Sequence, residues 1–213
     1  MKAYVITIMD NIRSVQVADR CIKSGKKFNL DIQKFEAITP RSNPSKILAE
    51  RGINPAGFTE IYSRTPNCMS AFLSHHTLWQ KAIDENENIL ILEHDAVIKD
   101  YIPEVPFTGC ISLGKPSYGK FNTPPVIGVN SLTSKKYFPG AHAYIVSPYG
   151  AKKLIAHAKE NARPTDVFLN IDSFPFLQEY YPWPVEVNDS FSTIQNQIGC
   201  IAKHNYGETY EII

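Results

Sequence analysis

The stretch Ile89-Leu-Ile-Leu-Glu93-His94-Asp95-Ala-Val-Ile98 contains the strongest indication of the fold. Four consecutive apolar residues followed by acidic ones predict a buried parallel β-strand that stops at a polar carboxyl end. In open α/β sheets, ligands bind at that end of the strands. Glu93 and Asp95 would supply two carboxylates, which are hard oxygen ligands for Mn²⁺ or Mg²⁺ that still carries substrate phosphates. Taken alone, the pattern also fits an ordinary strand with a polar turn.

Strands and helices alternate on both sides of this stretch. The sequence predicts a strand at 3–8, a helix at 15–24 and a strand at 31–39, which together form the β-α-β opening of a parallel sheet. Further strands are expected at 110–114, 142–147 and 185–187, and a further helix at 150–162. We therefore expect an α/β fold with a mostly parallel sheet flanked by helices, in a single domain over residues 1–213.

Two segments interrupt this alternation. Residues 40–66 are rich in proline and glycine and contain a short helical piece at 45–50, and residues 115–139 are rich in glycine, proline, tyrosine and lysine. We expect both to be loop or flap insertions. Such loops often close on a ligand, although passive surface loops fit the same composition.

The segment before the central strand predicts an amphipathic helix. Asn67 is its expected N-cap. The helix carries Ser74 and His75 beside the predicted strand end. Its apolar residues recur near i, i+3, i+4 and i+7, and they are Met69, Phe72, Leu73, Trp79 and Ile83.

The net charge, the cysteine spacing and the lengths of the apolar runs argue against several classes of protein. The 22 basic and 21 acidic residues give a net charge of +1, which provides no general field for binding nucleic acid. The four cysteines are scattered without a Cys-x-x-Cys pair, which argues against a zinc ribbon and indicates reduced thiols. No apolar run is long enough for a signal peptide or a membrane span. We therefore expect a cytoplasmic protein without a transmembrane segment.

The order of several motifs resembles glycosyltransferase family 25 of bacterial lipooligosaccharide synthesis. The motifs are Cys68…Ser74-His75…Trp79, the acidic strand end at Glu93, the segment Gly140-Ala-His142-Ala-Tyr144-Ile-Val-Ser147 with Gly150 and Leu154, and Pro164-Thr-Asp166. The family usually has a second Asp where this chain has His94. Imidazole favours softer transition metals than Mg²⁺, so His94 either binds Mn²⁺ itself or points away.

The resemblance implies a GT-A-like nucleotide-diphospho-sugar transferase fold and a metal-dependent, inverting hexosyltransferase. The donor would be a UDP-sugar, and the acceptor a hydroxyl group of a glycan or lipooligosaccharide. Asp95 and Glu93 would hold Mn²⁺ or Mg²⁺. GT-A enzymes often recruit a late histidine to the metal, and His204 is the candidate here, with a surface position as the alternative.

The resemblance also implies which residues meet the donor. Asp10, Asn11 and Arg13 follow the first strand, in the loop that meets the nucleotide, and Arg13 could pair with a phosphate. Ser74 and His75 would lie near the diphosphate. The alternatives are a plain turn with a solvated arginine and a histidine that faces the core.

An inverting transfer needs a base near the acceptor hydroxyl, because that hydroxyl loses its proton as it attacks the anomeric carbon. Asp166 is the candidate, on its match to the family's Pro-x-Asp. Helix capping is an alternative role for which Asp is equally suited. Asp172 is the substitute candidate for the base.

Two other functions stay open. The first is sugar transfer to a hydroxymethylated base in DNA, which would need a basic groove that the charge balance neither requires nor excludes. The second is a catalytically degenerate domain that binds a sugar nucleotide, with His94 as the sign of decay. Retention of both Glu93 and Asp95 argues against decay.

Overall fold

The computed structural model describes residues 1–59, 63–188, 191–195 and 211–212. Its α-helices are α1 (Ile12–Lys26), α2 (Pro44–Glu50), α3 (Thr65–Glu85), α4 (Pro148–Asn161) and α5 (Thr165–Phe168). Its β-strands are β1 (Lys2–Thr7), β2 (Ile32–Glu36), β3 (Ile89–Glu93), β4 (Ala96–Ile98), β5 (Cys110–Ser112), β6 (Gly128–Ser131), β7 (Ala143–Val146), β8 (Leu177–Tyr181), β9 (Val185–Val187), β10 (Phe191–Ser192) and β11 (Glu211–Ile212).

Within the described ranges, seven strands form one sheet in the order β2-β1-β3-β7-β5-β8-β6. Strand β1 pairs in parallel with β2 and β3, and β5 pairs in parallel with β8. The pairings β3–β7, β5–β7 and β6–β8 are antiparallel. The α/β class is confirmed, but the sheet is mixed rather than mostly parallel. Strand β7 is buried at every residue, so its sequence resembles that of a buried parallel strand and does not reveal its direction.

The register of the first strands brings their polar ends together. Ile6 of β1 lies opposite Glu93, the last residue of β3. Thr7 of β1 lies opposite Glu36 of β2. Because these three strands run in parallel, their carboxyl ends meet at one edge of the sheet, and side chains just beyond them share a neighbourhood.

Helices cover both faces of the sheet and fix it in place. Helix α3 buries Phe72 and Trp79 completely, with ring centroids 5.6 Å apart in an edge-to-face contact. Such aromatic pairs contribute about 0.5–1.5 kcal/mol beyond the area that they bury. On the opposite face, α1 buries Ala18 and Cys21 against Val5 of β1. The edge that carries the polar strand ends is therefore held by packed layers on both sides.

Two predicted helix boundaries were wrong. Helix α3 begins at Thr65 with Arg64 at the N-cap, and the side-chain amide of Asn67 donates to the carbonyl of Thr193 at 2.7 Å. Pro66 occupies the first turn, where its missing N–H costs no helical hydrogen bond. Helix α1 begins at Ile12, earlier than predicted, because Asn11 caps it by accepting hydrogen bonds from two backbone N–H groups.

The two expected insertions differ. The described part of residues 40–66 contains α2, whose Leu48 is fully buried. Residues 115–139 contribute β6 to the edge of the main sheet, so only part of that segment is a loop. Among the described residues no helix has the length and apolarity that a membrane span requires. Cys21, Cys68 and Cys110 are buried free thiols, and Cys200 lies outside the described residues.

Candidate functional site

Two adjoining cavities open at the carboxyl edge of β1 and β3. The strand-edge cavity, of about 80 Å³, lies between these strand ends and α3. The acidic cleft, of about 230 Å³, extends from the same place toward α5. Glu93 and His94 line both of them. The strand-edge cavity is further lined by Ile6, Ile8, Ile38, Ser70, Ser74 and His75, and the acidic cleft by Asp95, Ser117, Tyr118, His142, Thr165 and Asp166.

Glu93 is positioned by a chain of buried side chains. The Nε1–H of Trp79 donates to the Tyr144 hydroxyl at 2.8 Å, and that hydroxyl lies 2.9 Å from Nδ1 of His75. Nε2 of His75 lies 3.3 Å from Oε1 of Glu93. Because the Tyr144 hydroxyl accepts from Trp79, its own proton is directed to Nδ1, and the proton of His75 is then on Nε2, facing Glu93. Burial lowers the pKa of His75 to about 3, so the ring is neutral.

Asp95 carries a buried oxygen without a hydrogen-bond partner. The residue is 8% exposed, and its Oδ1 makes no hydrogen bond within the described residues. The Arg20 guanidinium donates to the backbone carbonyl of Asp95 at 3.3 Å. Buried carboxylate oxygens are normally paired, so an unpaired one on a residue that lines the cleft makes Asp95 a candidate for ligand binding.

His94 lines both cavities, and whether it binds a metal or points away from one stays a prediction. Its Nδ1 is 2.7 Å from the Ser14 hydroxyl, and Ser14 Oγ also accepts from the backbone N–H of Ile8 at 2.9 Å. The ring contacts Phe191 at a centroid distance of 5.6 Å. Burial lowers the pKa of His94, which the charge of Asp95 partly offsets.

Asp166 also lines the acidic cleft. Its Oδ2 accepts from the Tyr118 hydroxyl at 2.8 Å, and its Oδ1 accepts from the backbone N–H of Val167 at 2.8 Å. The N-cap of α5 is Pro164, so Asp166 does not occupy that position. Burial raises the pKa of Asp166, and the Tyr118 hydrogen bond opposes that shift. A carboxyl held in this way is poised to exchange a proton nearer neutral pH than an exposed one.

The loop after β1 does not place its three predicted residues in either cavity. Asp10 forms an ion pair with Arg41. Asn11 caps α1, which is the turn alternative of the sequence analysis. Arg13 lies 6.0 Å from the ring centroid of Phe191. A contact of these residues with a nucleotide stays a prediction.

Of the three remaining candidate residues, the two in the described ranges differ in their position relative to the two cavities. Ser74 lines the strand-edge cavity, but its hydroxyl donates to the Ser70 carbonyl and accepts from the N–H of Ile38, so it joins α3 to the chain beyond β2. Asp172 is exposed and lines neither cavity. His204 lies outside the described residues.

Three residues of the site carried no predicted role. Tyr118 comes from the 115–139 segment, where no motif marks it. Ser14 lies within α1 and is indistinguishable in sequence from any small helical residue. His142 falls inside a recognised motif, and its ring packs so closely on Gly114 that a Cβ at position 114 would clash with Nε2. Burial lowers the pKa of His142 to about 4, against the opposing charge of Asp95.

The acidic residues suit an open metal site rather than a closed one. No group of three His, Cys, Asp or Glu side chains able to enclose a metal occurs within the ranges that the structure describes. Glu93 and Asp95 offer two carboxylates at the cleft, one with an unpaired oxygen. Mg²⁺ and Mn²⁺ keep waters and substrate phosphates when protein carboxylates are few. The residues present therefore fit a metal that arrives with a phosphate ligand.

Comparison with known proteins identifies the family. The model of glycosyltransferase family 25, described as an LPS biosynthesis protein, matches residues 1–108 of the 213. The chain belongs to glycosyltransferase family 25. The match contains β1, α3 and β3, and thus the strand ends at which both cavities open. The resemblance to this family seen in the sequence is confirmed.

A curated relative extends the similarity beyond the family match. It is a protein of Aedes aegypti described as a glycosyltransferase 25 family member, 25% identical over 186 residues. The alignment covers 76% of this chain and 31% of the relative. The chain therefore spans about a third of the length of that relative.

Proposed function

We propose that the chain is a glycosyltransferase that moves a sugar from a UDP-sugar to a hydroxyl acceptor with inversion and with the help of Mn²⁺ or Mg²⁺. The observation that supports this most is the meeting of Glu93, Asp95 and Asp166 in one cleft. We further propose a single domain over residues 1–213 with a GT-A-like architecture. The family description as an LPS biosynthesis protein favours a glycan or lipooligosaccharide acceptor.

On the donor side, the nucleotide would occupy the strand-edge cavity. Ile6, Ile8 and Ile38 give it an apolar lining suited to a base. The diphosphate would lie where the two cavities meet, beside Glu93 and His94. Asp95 and Glu93 would hold the metal, which supplies charge neutralisation of the departing diphosphate when bound.

On the acceptor side, Asp166 would take the proton from the attacking hydroxyl. The new glycosidic bond forms at the anomeric carbon as the bond to the diphosphate breaks, and the acceptor proton passes to the Asp166 carboxylate. Tyr118 would hold Oδ2 of Asp166 in place. Within the described residues, Oδ2 accepts a side-chain hydrogen bond from Tyr118 and Oδ1 accepts one from the backbone N–H of Val167, which leaves lone pairs on the carboxylate for the acceptor.

The experiment is a donor panel with stereochemical analysis. The protein is incubated with UDP-sugars and, for comparison, other nucleotide sugars, with Mn²⁺ or with EDTA, and with glycan acceptors. We expect nucleotide release that requires the metal and favours a uridine donor, and a product of inverted anomeric configuration by NMR. A product with retained configuration would contradict the role of Asp166, and full turnover in EDTA would contradict the metal.

A further inference from the structure

His94 is the one point at which this chain replaces an acidic residue of the family pattern with a hydrogen-bond donor. Its backbone follows directly from β3, and its side chain lies at the junction of the two cavities. The residue is half-buried. Only its Nδ1 has a hydrogen-bond partner within the described residues. The other nitrogen, Nε2, is not among the buried atoms that lack a partner, so it is not fully buried, and the residue that carries it lines both cavities.

Ser14 determines which nitrogen carries the proton. Its oxygen accepts from the N–H of Ile8, which leaves the hydroxyl proton in need of an acceptor. The acceptor within reach among the described residues is Nδ1 of His94, at 2.7 Å. A ring whose Nδ1 accepts a hydrogen bond carries its proton on Nε2. The side chain therefore presents an N–H donor to the junction of the cavities.

Within the described residues, no side chain accepts a hydrogen bond from Nε2 of His94. Asp95 and Arg20 both act on His94 electrostatically, and Glu93 lines the same junction. The two carboxylates are acceptors, but neither is hydrogen-bonded to Nε2 in the described structure. An N–H group fixed at such a place hydrogen-bonds an incoming phosphate oxygen more strongly than a neutral acceptor.

We propose that His94 is a diphosphate-binding residue that donates from Nε2 to a phosphate oxygen of the donor nucleotide, with Ser14 holding the ring in the required tautomer. This rests on the proposed function, because it takes a nucleotide diphosphate as the ligand. An acidic side chain at this position reaches a phosphate only through a metal. The imidazole reaches it directly, and so adds a contact to the diphosphate that is independent of the metal.

The first test uses substitutions of His94 to distinguish the contribution of Nε2 from that of Nδ1. The amide nitrogen of glutamine takes the place of Nε2, whereas asparagine reaches only as far as Nδ1. UDP affinity is measured by calorimetry for His94→Gln and His94→Asn, at saturating Mn²⁺ and again in EDTA. His157→Gln, on α4 and outside both cavity linings, is the matched control.

We expect His94→Asn to weaken UDP binding by about 10- to 100-fold, the value of one hydrogen bond to a charged group. His94→Gln and the control should stay within about threefold of the wild type. Wild-type affinity in His94→Asn would overturn the proposal, and so would an equal loss in His94→Gln, which would make ring packing the cause. Absence of UDP binding by the wild type in both conditions would overturn the proposed function as well.

The second test determines the tautomer of His94 in the wild-type protein, so its main result does not depend on whether a variant folds. Long-range ¹H–¹⁵N correlation spectra of ¹⁵N-histidine-labelled protein distinguish protonation at Nε2 from protonation at Nδ1. We expect the Nε2–H form for His94, and a perturbation of that resonance when UDP or inorganic pyrophosphate is added in EDTA. A ring protonated on Nδ1 alone, or one that does not respond to bound UDP, would overturn the proposal. Ser14→Ala should yield a mixture of tautomers.

Discussion

The strand-edge cavity and the acidic cleft share Glu93 and His94, yet they hold their polar side chains differently. In the strand-edge cavity, Ser74 and His75 have their hydrogen-bonding atoms engaged by the protein. In the acidic cleft, Asp95 keeps a buried oxygen without a partner in the described residues, and burial raises the pKa of Asp166.

This difference distinguishes side chains that stabilise the structure of the site from side chains that are available for ligand binding or proton transfer. Side chains whose hydrogen bonds are complete rigidify the wall that carries them, and removing one of them chiefly affects stability. A buried polar atom without a partner and a carboxyl with a shifted pKa are instead signs of ligand binding or proton transfer. We therefore expect substitutions in the cleft to reduce turnover and substitutions around the strand ends to reduce stability.

The largest effect is expected for Asp95→Asn. Turnover with Mn²⁺ should fall by about 10³-fold or more, because metal stabilisation of the leaving group contributes several kcal/mol to the transition state. The melting temperature should stay near that of the wild type, since Oδ1 has no hydrogen-bond partner to lose among the described residues. Steady-state kinetics and a thermal melt measure both. The control is Asp100→Asn at an exposed acidic residue, and full activity in Asp95→Asn would remove Asp95 from the metal site.

Asp166→Asn tests the second carboxyl group of the cleft, the proposed base. We expect turnover to fall by about 10²–10⁴-fold, the range of a lost general base, with little change in UDP affinity. Asp172→Asn, at the exposed substitute candidate, should keep wild-type activity. If instead Asp166→Asn loses stability but its folded fraction keeps full specific activity, Asp166 has a structural role and the base lies elsewhere.

Tyr118→Phe tests the role of Asp166 through the pH dependence of turnover. The Tyr118 hydrogen bond lowers the pKa of Asp166 against the effect of burial, so its loss raises that pKa further. A base must be deprotonated, and activity falls as pH drops through the pKa of the base. The acid limb of the kcat profile should therefore move to higher pH, with about a tenfold loss at neutral pH. An unmoved limb would show that Tyr118 does not act through Asp166. Tyr101→Phe is the control, because Tyr101 lines neither cavity.

The smallest effect on turnover is expected for Asn11→Ala. Loss of the α1 cap should lower the free energy of unfolding by about 1 kcal/mol, and Asn11→Ser should recover most of it. UDP affinity and kcat should not change if Asn11 serves the helix alone. Denaturant unfolding and calorimetry separate the two roles. Weaker UDP binding in Asn11→Ala with intact stability would restore the nucleotide contact predicted from the family resemblance.

The parts of the fold that could be predicted from sequence are those with local causes. Strand β3 and its acidic end follow from a run of residues that must be buried on both sides. The cap of α1 was missed for a different reason. Asn11 suits both a helix cap and a ligand-binding loop, and the family resemblance favoured the second role.

The contacts that complete the site join distant parts of the chain. Tyr118 and Asp166 are 48 residues apart, and Ser14 and His94 are 80 residues apart. No periodicity or spacing connects such pairs, because the sheet order that brings them together puts β7 between β3 and β5. The acidic residues could be proposed from their motifs. The hydroxyl groups of Tyr118 and Ser14, which hydrogen-bond to Asp166 and His94, could be found only in the folded chain.

The most direct measurement is the thermal shift produced by UDP with Mn²⁺ in the wild type and in Asp95→Asn. At a UDP concentration 100-fold above the Kd, binding to the folded state adds about 2.7 kcal/mol, or about 5–10 °C for a chain of this size. We expect that shift in the wild type with Mn²⁺, and a much smaller one in Asp95→Asn. An equal shift in both proteins, or none in the wild type, would contradict a metal-assisted nucleotide site in the acidic cleft.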